Sequence, residues 1–150
     1  MKTPLRVGTV PYLVGRPVDL GLGDEEGIEL QYHVPALLVE KLRAGELDVA
    51  LASSIELFRR PDYSYIAGIG VAGRGVVSSV QLFLRKAIEE VRTVALDPAS
   101  RAARTLTRIL LAEGPAPVFE EAANGADPRE LPCDSWLRIG DPALRECHGE

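Results

Sequence analysis

Short apolar runs of strand character alternate with amphipathic runs of helical character along almost the whole chain. Residues 5–10, 28–34 and 46–52 are strand-like, and the third is apolar enough for the interior of a parallel sheet. Between the second and third lies a helical run over 35–44. Pro35 suits its first position, Leu38 and Leu42 share one face with Leu37 beside them, and Gly45 stops it. The run RTVALDPASRAARTLTRILLAEG reads as strand, loop and helix. Ser100 is its cap, and Ala102, Leu106, Ile109 and Leu110 form its apolar face. Further strands are predicted at 63–73, 76–86, 117–122 and 134–140, with a loop over 123–132. Parallel strands need a crossover between them, so this alternation selects an α/β fold with a mostly parallel sheet.

In such folds ligands sit at the carboxyl ends of the strands, which turns the loops into candidates. The first strand ends in VGTVPYLVGRP, where two prolines bracket Tyr12 and Arg16 in a rigid, polar-tipped loop. The third ends at Ser53 and Ser54. Ser53 is predicted to cap the helix SSIELFRRP, with Glu56 three residues on completing a capping box and Pro61 ending it. Ser54 and the first-turn amides could hold a carboxylate. The strand before DPASR makes a similar offer. Arg101 is a cation at the positive end of a helix, a conflict that an anion bound between it and Ser100 would remove. Ser78 and Ser79 are predicted inside a strand, one facing each side, each hydroxyl needing a partner from the protein or from a ligand.

No serine has nucleophile-elbow spacing, and no histidine or aspartate completes a triad by motif. The pairs Glu25-Glu26 and Glu89-Glu90 read as solvated, and His33, at a strand end two residues before Pro35, as structural. The net charge of -5 argues against a nucleic-acid surface but leaves room for a small anion held by local donors. Every apolar stretch is interrupted well short of a bilayer span. The segment MKTPLRVGTV lacks the apolar block of a signal peptide, so the expected location is cytoplasmic. Two cysteines, Cys133 and Cys147, are too few for a disulfide framework or a zinc pattern, and no metal is expected.

The ordered set VGTVPYLVGRP, LRAGELDVALASSIELFRRPDYSYIAGIGV, SSVQLFLRK, RTVALDPASRAARTLTRILL and LRIGDPAL, from about residue 5 to 146, resembles the menaquinone-biosynthesis family of the futalosine route. Within it the set looks like the chorismate dehydratases. The resemblance implies a type II periplasmic-binding-protein fold used as an enzyme, two α/β lobes closing over a small acid. Lobe 1 would hold residues 1–80 and lobe 2 residues 81–150. The implied reaction removes water from chorismate to give 3-[(1-carboxyvinyl)oxy]benzoate, with no cofactor.

On this reading Tyr12, Val14, Arg16, Ser53, Ser54, Ser78, Ser100 and Arg101 line the substrate site. Ser79 positions the substrate while a substrate carboxylate helps to move the proton. Val14 stands where the family pattern has asparagine, and Ala102-Ala103 where it tends to have a hydroxyl residue. These differences keep two further expectations open, a non-catalytic receptor for small carboxylates and an inactive truncated homologue. Family members continue past the segment IGDPAL. A chain without that continuation would expose sheet edges and apolar helix faces, which favours a homodimer or aggregation.

Overall fold

The computed structural model describes residues 3–114 and 116–149. They form two compact units, Met1–Ala72 and Gly73–Glu150.

The first unit is built on a three-stranded parallel sheet in the order β2-β1-β3, with β1 at Leu5–Thr9, β2 at Ile28–Tyr32 and β3 at Val49–Ala50. Its helices are α1 (Arg16–Asp19), α2 (Pro35–Arg43) and α3 (Ile55–Arg59). Helix α2 opens on Pro35 as expected, and Gly45 turns the chain with a φ of 70°, a conformation costly for a residue with a Cβ. It buries Leu38 and Val39, and Leu38 packs with Val10 and Leu47 into a small core that Tyr12, Leu42, Ala50 and Leu51 flank. Gly8 makes this packing possible, because a Cβ there would lie 2.5 Å from Leu47 Cδ1 and 2.6 Å from Leu38 Cδ2.

Two predicted strands fail in this unit, one in part and one wholly. The third strand was predicted over 46–52, but only Val49–Ala50 enters the ladder, as the edge strand of its sheet. The run 63–73 forms no strand. Tyr65, Ile66 and Ile69 are exposed, three glycines interrupt the run, and Gly68 has a φ of 80°. A strand is stabilised by its ladder partner, and β-propensity without one is not enough.

The second unit carries a four-stranded sheet, β4-β7-β5-β6, with β4 at Val80–Leu84, β5 at Thr93–Leu96, β6 at Val118–Glu121 and β7 at Ser135–Ile139. Strand β5 is parallel to both β6 and β7, whereas β4 runs antiparallel to β7. Helices α4 (Arg101–Ala112) and α5 (Gly140–Cys147) complete it. The core is fuller than that of the first unit. Val91, Val94, Ala95, Leu96, Leu137 and Ile139 are buried with Ala103 and Leu111 of α4 and Ala143 of α5. Phe83 and Trp136 stack across β4 and β7 with ring centroids 5.4 Å apart, and Arg85 lies 4.7 Å from the Trp136 ring.

Here the sequence reading needs four corrections. The strand predicted over 76–86 is confined to 80–84, so Ser78 and Ser79 lie in a turn before it. The residues predicted as the apolar face of α4 are not its buried face. Ala103, Thr107 and Leu111 are buried, while Ala102, Leu106, Ile109 and Leu110 are exposed. The small Ala103 and Thr107 lie against the interior, and Thr107 satisfies its hydroxyl by donating to the Ala103 carbonyl at 2.9 Å. Residues 123–132 contain a 3-10 turn, Pro128–Glu130, capped by Asp127. Finally, helix α5 was not foreseen, because a glycine-aspartate-proline start reads as a turn. No helix among the described residues is long and apolar enough to cross a membrane.

Candidate functional site

In each unit the predicted residues gather at the carboxyl ends of the parallel strands. Strands β1 and β3 pair in parallel through Val7 with Val49 and Gly8 with Ala50, and the Leu51 amide donates to the Gly8 carbonyl at 2.8 Å. The segments 10–16 and 51–54 therefore leave the first sheet at the same end.

The loop after β1 folds tightly back. The Gly15 amide donates to the Tyr12 carbonyl at 2.9 Å, closing a 3-10 turn over Leu13–Gly15. A Cβ on Gly15 would meet Val10 Cγ2 at 2.8 Å, so only glycine lets the turn sit this low. Tyr12 rests partly on the core, and Val14 is 44% exposed. Arg16 turns toward β2. Its Nη1 donates to the Tyr32 hydroxyl at 3.1 Å, and its guanidinium lies 5.2 Å from the Tyr32 ring centroid. The same nitrogen stands 3.9 Å from an oxygen of Asp19, a buried carboxylate whose oxygens have no hydrogen-bond partner among the described residues. An open hollow of about 340 Å³ runs beside these groups, lined by Arg16, Asp19, Asp24, Leu30 and Tyr32 among others.

Ser53 and Ser54 are exposed. The expected capping box is absent: α3 starts at Ile55 after Ser54, and no side chain caps it. The reason is visible in Glu56, which is buried and clasped by Arg43 through two hydrogen bonds of 2.8 Å. The Glu56 amide donates instead to the backbone carbonyl of Ser53 at 3.0 Å.

The second unit holds its strand ends more firmly. Strand β5 hands over to Asp97, whose carboxylate accepts from the Ala99 amide at 2.9 Å and from the Ile139 amide at 3.2 Å. This ties the DPASR loop to the end of β7. Ser100 caps α4 as expected, its hydroxyl accepting from the Ala103 amide at 3.1 Å, and Arg101 occupies the first turn. Because β4 opposes β7 with Val80 beside Ile139, the Ser78-Ser79 turn falls at this same end. The Gly140 amide donates to the Ser79 carbonyl at 2.8 Å, and Gly140 takes a φ of 71° to begin α5. The turn at Ser78-Ser79, the start of α4 and the start of α5 thus stand together at one edge of the sheet.

Sequence reasoning missed Asp97, Asp19 and the Gly140 amide. Asp97 was legible in principle, since an aspartate before proline at a strand end commonly accepts from the amide two residues on. Asp19 carried no signal, because a lone acid among glycines reads as a solvated loop.

The most strongly perturbed carboxylates lie at the opposite, amino-terminal ends of the strands. Asp48 is held down to about 2 by the Arg6 guanidinium, with help from the Arg6 amide. Asp134 is likewise lowered to about 2 by Lys86, aided by the amides of Arg92 and Thr93. Both act as clamps within their units. Burial pushes the Cys133 thiol up, and Cys147 is exposed. Among the described residues no group of three or more His, Cys, Asp or Glu could hold a metal ion. The His33 amide donates to the Thr9 carbonyl at 2.9 Å, and its ring meets the Gln31 side chain at 3.1 Å.

Parallel strands with loops gathered at their carboxyl ends are those of an open α/β chain, and a solved structure gives the fold as periplasmic-binding-protein-like. An ancestral arginine-binding protein bound to glutamine superposes with a TM-score of 0.55 over 99% of this chain and 74% of its own, at 15% identity. An ancestral cyclohexadienyl dehydratase also aligns, at 16% identity and a TM-score of 0.32 too low to bear on the fold. The sequence goes further. The chain belongs to the menaquinone-biosynthesis family, whose profile matches residues 5–150. It is 33% identical over 122 residues to a chorismate dehydratase of Thermus thermophilus, a match covering 80% of this chain and 45% of that relative. The chain thus spans less than half the length of the curated relative it matches.

Proposed function

We propose that this chain provides the chorismate-binding and dehydrating elements of a hydro-lyase that acts in menaquinone biosynthesis by the futalosine route, in the cytoplasm. The observation that carries the reading is the 33% identity to a chorismate dehydratase, over a stretch long enough to include most of the strand-end loops. The substrate is a dianion. The loops offer Arg16, Arg101, the serine hydroxyls and the amides at the start of α4, all able to engage carboxylates.

In the reaction a hydroxyl leaves one ring carbon and a proton leaves another. Together they make one water, and the electrons of the broken C–H bond enter the new aromatic ring. Aromatisation supplies the driving force, so the protein's task is to orient the substrate, exclude water and balance developing charge. Ser79 and Ser78 position the ring in this scheme. A substrate carboxylate accepts the proton, which removes the need for a histidine or glutamate base.

Val14 supports a second reading, a receptor that binds a small carboxylate without converting it. An apolar side chain there offers the substrate no hydrogen bond. Incubating the 150-residue chain with chorismate, and following ultraviolet absorbance and product mass, separates the two. An aromatic product lighter by one water supports the lyase. Heat of binding with no product supports the receptor, and neither signal refutes both.

A further inference from the structure

Asp19 ends the short helix α1 with its side chain 1% exposed, and neither of its oxygens has a hydrogen-bond partner among the described residues. A carboxylate taken out of water without hydrogen bonds is costly, and an apolar side chain of similar size would fill the space at less cost. One cation answers the charge. Among the described residues Asp19 pairs with Arg16 alone, whose Nη1 stands 3.9 Å from its Oδ1. The helix fixes that pairing. Pro17 sets the first turn and the Leu20 amide donates to the Arg16 carbonyl at 3.0 Å, so the two side chains lie one turn apart on one face. The Arg16 side chain is itself 58% exposed. Its single hydrogen bond among the described residues runs from Nη1 to the Tyr32 hydroxyl, which leaves Nε and Nη2 for a ligand.

We propose that Asp19 is a positioning residue, whose buried charge holds the Arg16 guanidinium at the carboxyl end of the first sheet for a substrate carboxylate. That this carboxylate belongs to chorismate rests on the dehydratase reading. The two contacts to Arg16 differ in kind. The hydrogen bond to Tyr32 is directional, and a ligand that takes over Nη1 breaks it. The attraction of Asp19 is not directional, so it persists as the guanidinium turns its remaining donors to a bidentate contact. At 3.9 Å Asp19 is too far to occupy those donors with a hydrogen bond of its own. A second effect has the opposite sign. A negative charge behind the guanidinium repels an incoming dianion, so an acid that only stood there would weaken binding. Positioning and repulsion therefore predict opposite results when the charge is removed.

Asp19→Asn keeps the shape and removes the charge, and Asp19→Ser, which also fits the space, repeats the test independently. In the ligand-free, isotopically labelled 150-residue chain, the Arg16 Nε–Hε signal reports how firmly the guanidinium is held, and its loss in Arg16→Gln identifies it. Its heteronuclear NOE falls in Asp19→Asn to that of an exposed arginine such as Arg74. In calorimetric titration with chorismate, Asp19→Asn raises Kd about tenfold, the loss of roughly one charged hydrogen bond. In the Arg16→Gln background the same change alters Kd by less than about twofold, because Asp19 acts through Arg16. Asp24→Asn removes an exposed acid from the same hollow and does not weaken binding, which separates position from net charge. Unchanged or tighter chorismate binding by Asp19→Asn overturns the proposal. An equal loss in the Arg16→Gln background, or an Arg16 signal indifferent to Asp19, overturns it as well. If the parent chain does not bind chorismate, the dehydratase reading fails by itself, and the ligand-free Arg16 signal still decides whether Asp19 holds the guanidinium.

Discussion

The two units solve one problem in different ways. Each must present polar groups at the carboxyl end of a small parallel sheet. The second unit fixes those groups with hydrogen bonds: Asp97 to two amides, Ser100 to the Ala103 amide, and Gly140 to the Ser79 carbonyl. The first unit shapes its loop chiefly by packing, laying Gly15 against Val10 and Tyr12 against the core. Its Ser53 and Ser54 hydroxyls stay exposed, and Arg16 rests on Tyr32 through contacts a ligand could displace. The second unit is a preformed edge and the first an adaptable one.

Substitutions in the two cores probe this contrast most strongly. Leu96→Ala, at a fully buried position directly before Asp97, removes about 2–5 kcal/mol from the second unit. Hydrogen exchange read unit by unit shows protection lost there first and largely kept in the first unit. Gly8→Ala acts on the other side. Its new Cβ collides with Leu38 and Leu47, both buried, and destabilises the first unit by about 1–3 kcal/mol. Equal loss of protection in both units after either change would mean that they do not fold as separately as their structures suggest.

A smaller effect distinguishes the serines. Ser100→Ala removes a true cap and costs about 1 kcal/mol in a denaturant titration. Ser54→Ala, with no side-chain bond to lose, shifts stability by less than about 0.5 kcal/mol. A fall in chorismate turnover in Ser54→Ala would then report on the substrate and not on the fold. A loss of stability equal to that of Ser100→Ala would show that the Ser54 hydroxyl caps after all.

The acid limb of stability is the smallest effect and concerns the opposite ends of the sheets. Asp48 and Asp134 titrate near 2 when folded, against 3.8 for an ordinary aspartate. A depressed folded value means that their contribution is complete above the unfolded value and is lost as pH falls from about 4 through 2. Asp48→Asn flattens that loss for the first unit and Asp134→Asn for the second, as a pH series of thermal melts reads directly. An unchanged acid limb in both variants would place the responsible groups elsewhere.

Much of this organisation was legible in the residues, for reasons that also explain the failures. Ser100 was readable because a cap is a local event between residues three apart, and Pro35 with Gly45 framed α2 by the same local logic. Glu56 misled because its local geometry suited a capping box, while a distant residue, Arg43, claimed its carboxylate. The run 63–73 misled because strand propensity says nothing about whether a partner strand exists. In α4 the pattern correctly found an apolar stripe but assigned it to the core. Periodicity identifies a face and leaves its partner unspecified, and here the interior took Ala103, Thr107 and Leu111 instead. Ser78 and Ser79 were found as candidates but placed inside a strand; their common edge with Asp97 and Ser100 depends on β4 running antiparallel to β7, which no local pattern encodes.

A titration of the isotopically labelled chain with chorismate, followed by amide chemical shifts, tests the strand-end site most directly. Shifts concentrated at residues 12–16, 53–54, 78–79 and 97–101, larger and more mobile in the first unit than in the second, are the predicted result. Shifts confined to the amino-terminal strand ends around Arg6, Asp48 and Asp134, or no shifts at saturating chorismate, would contradict it.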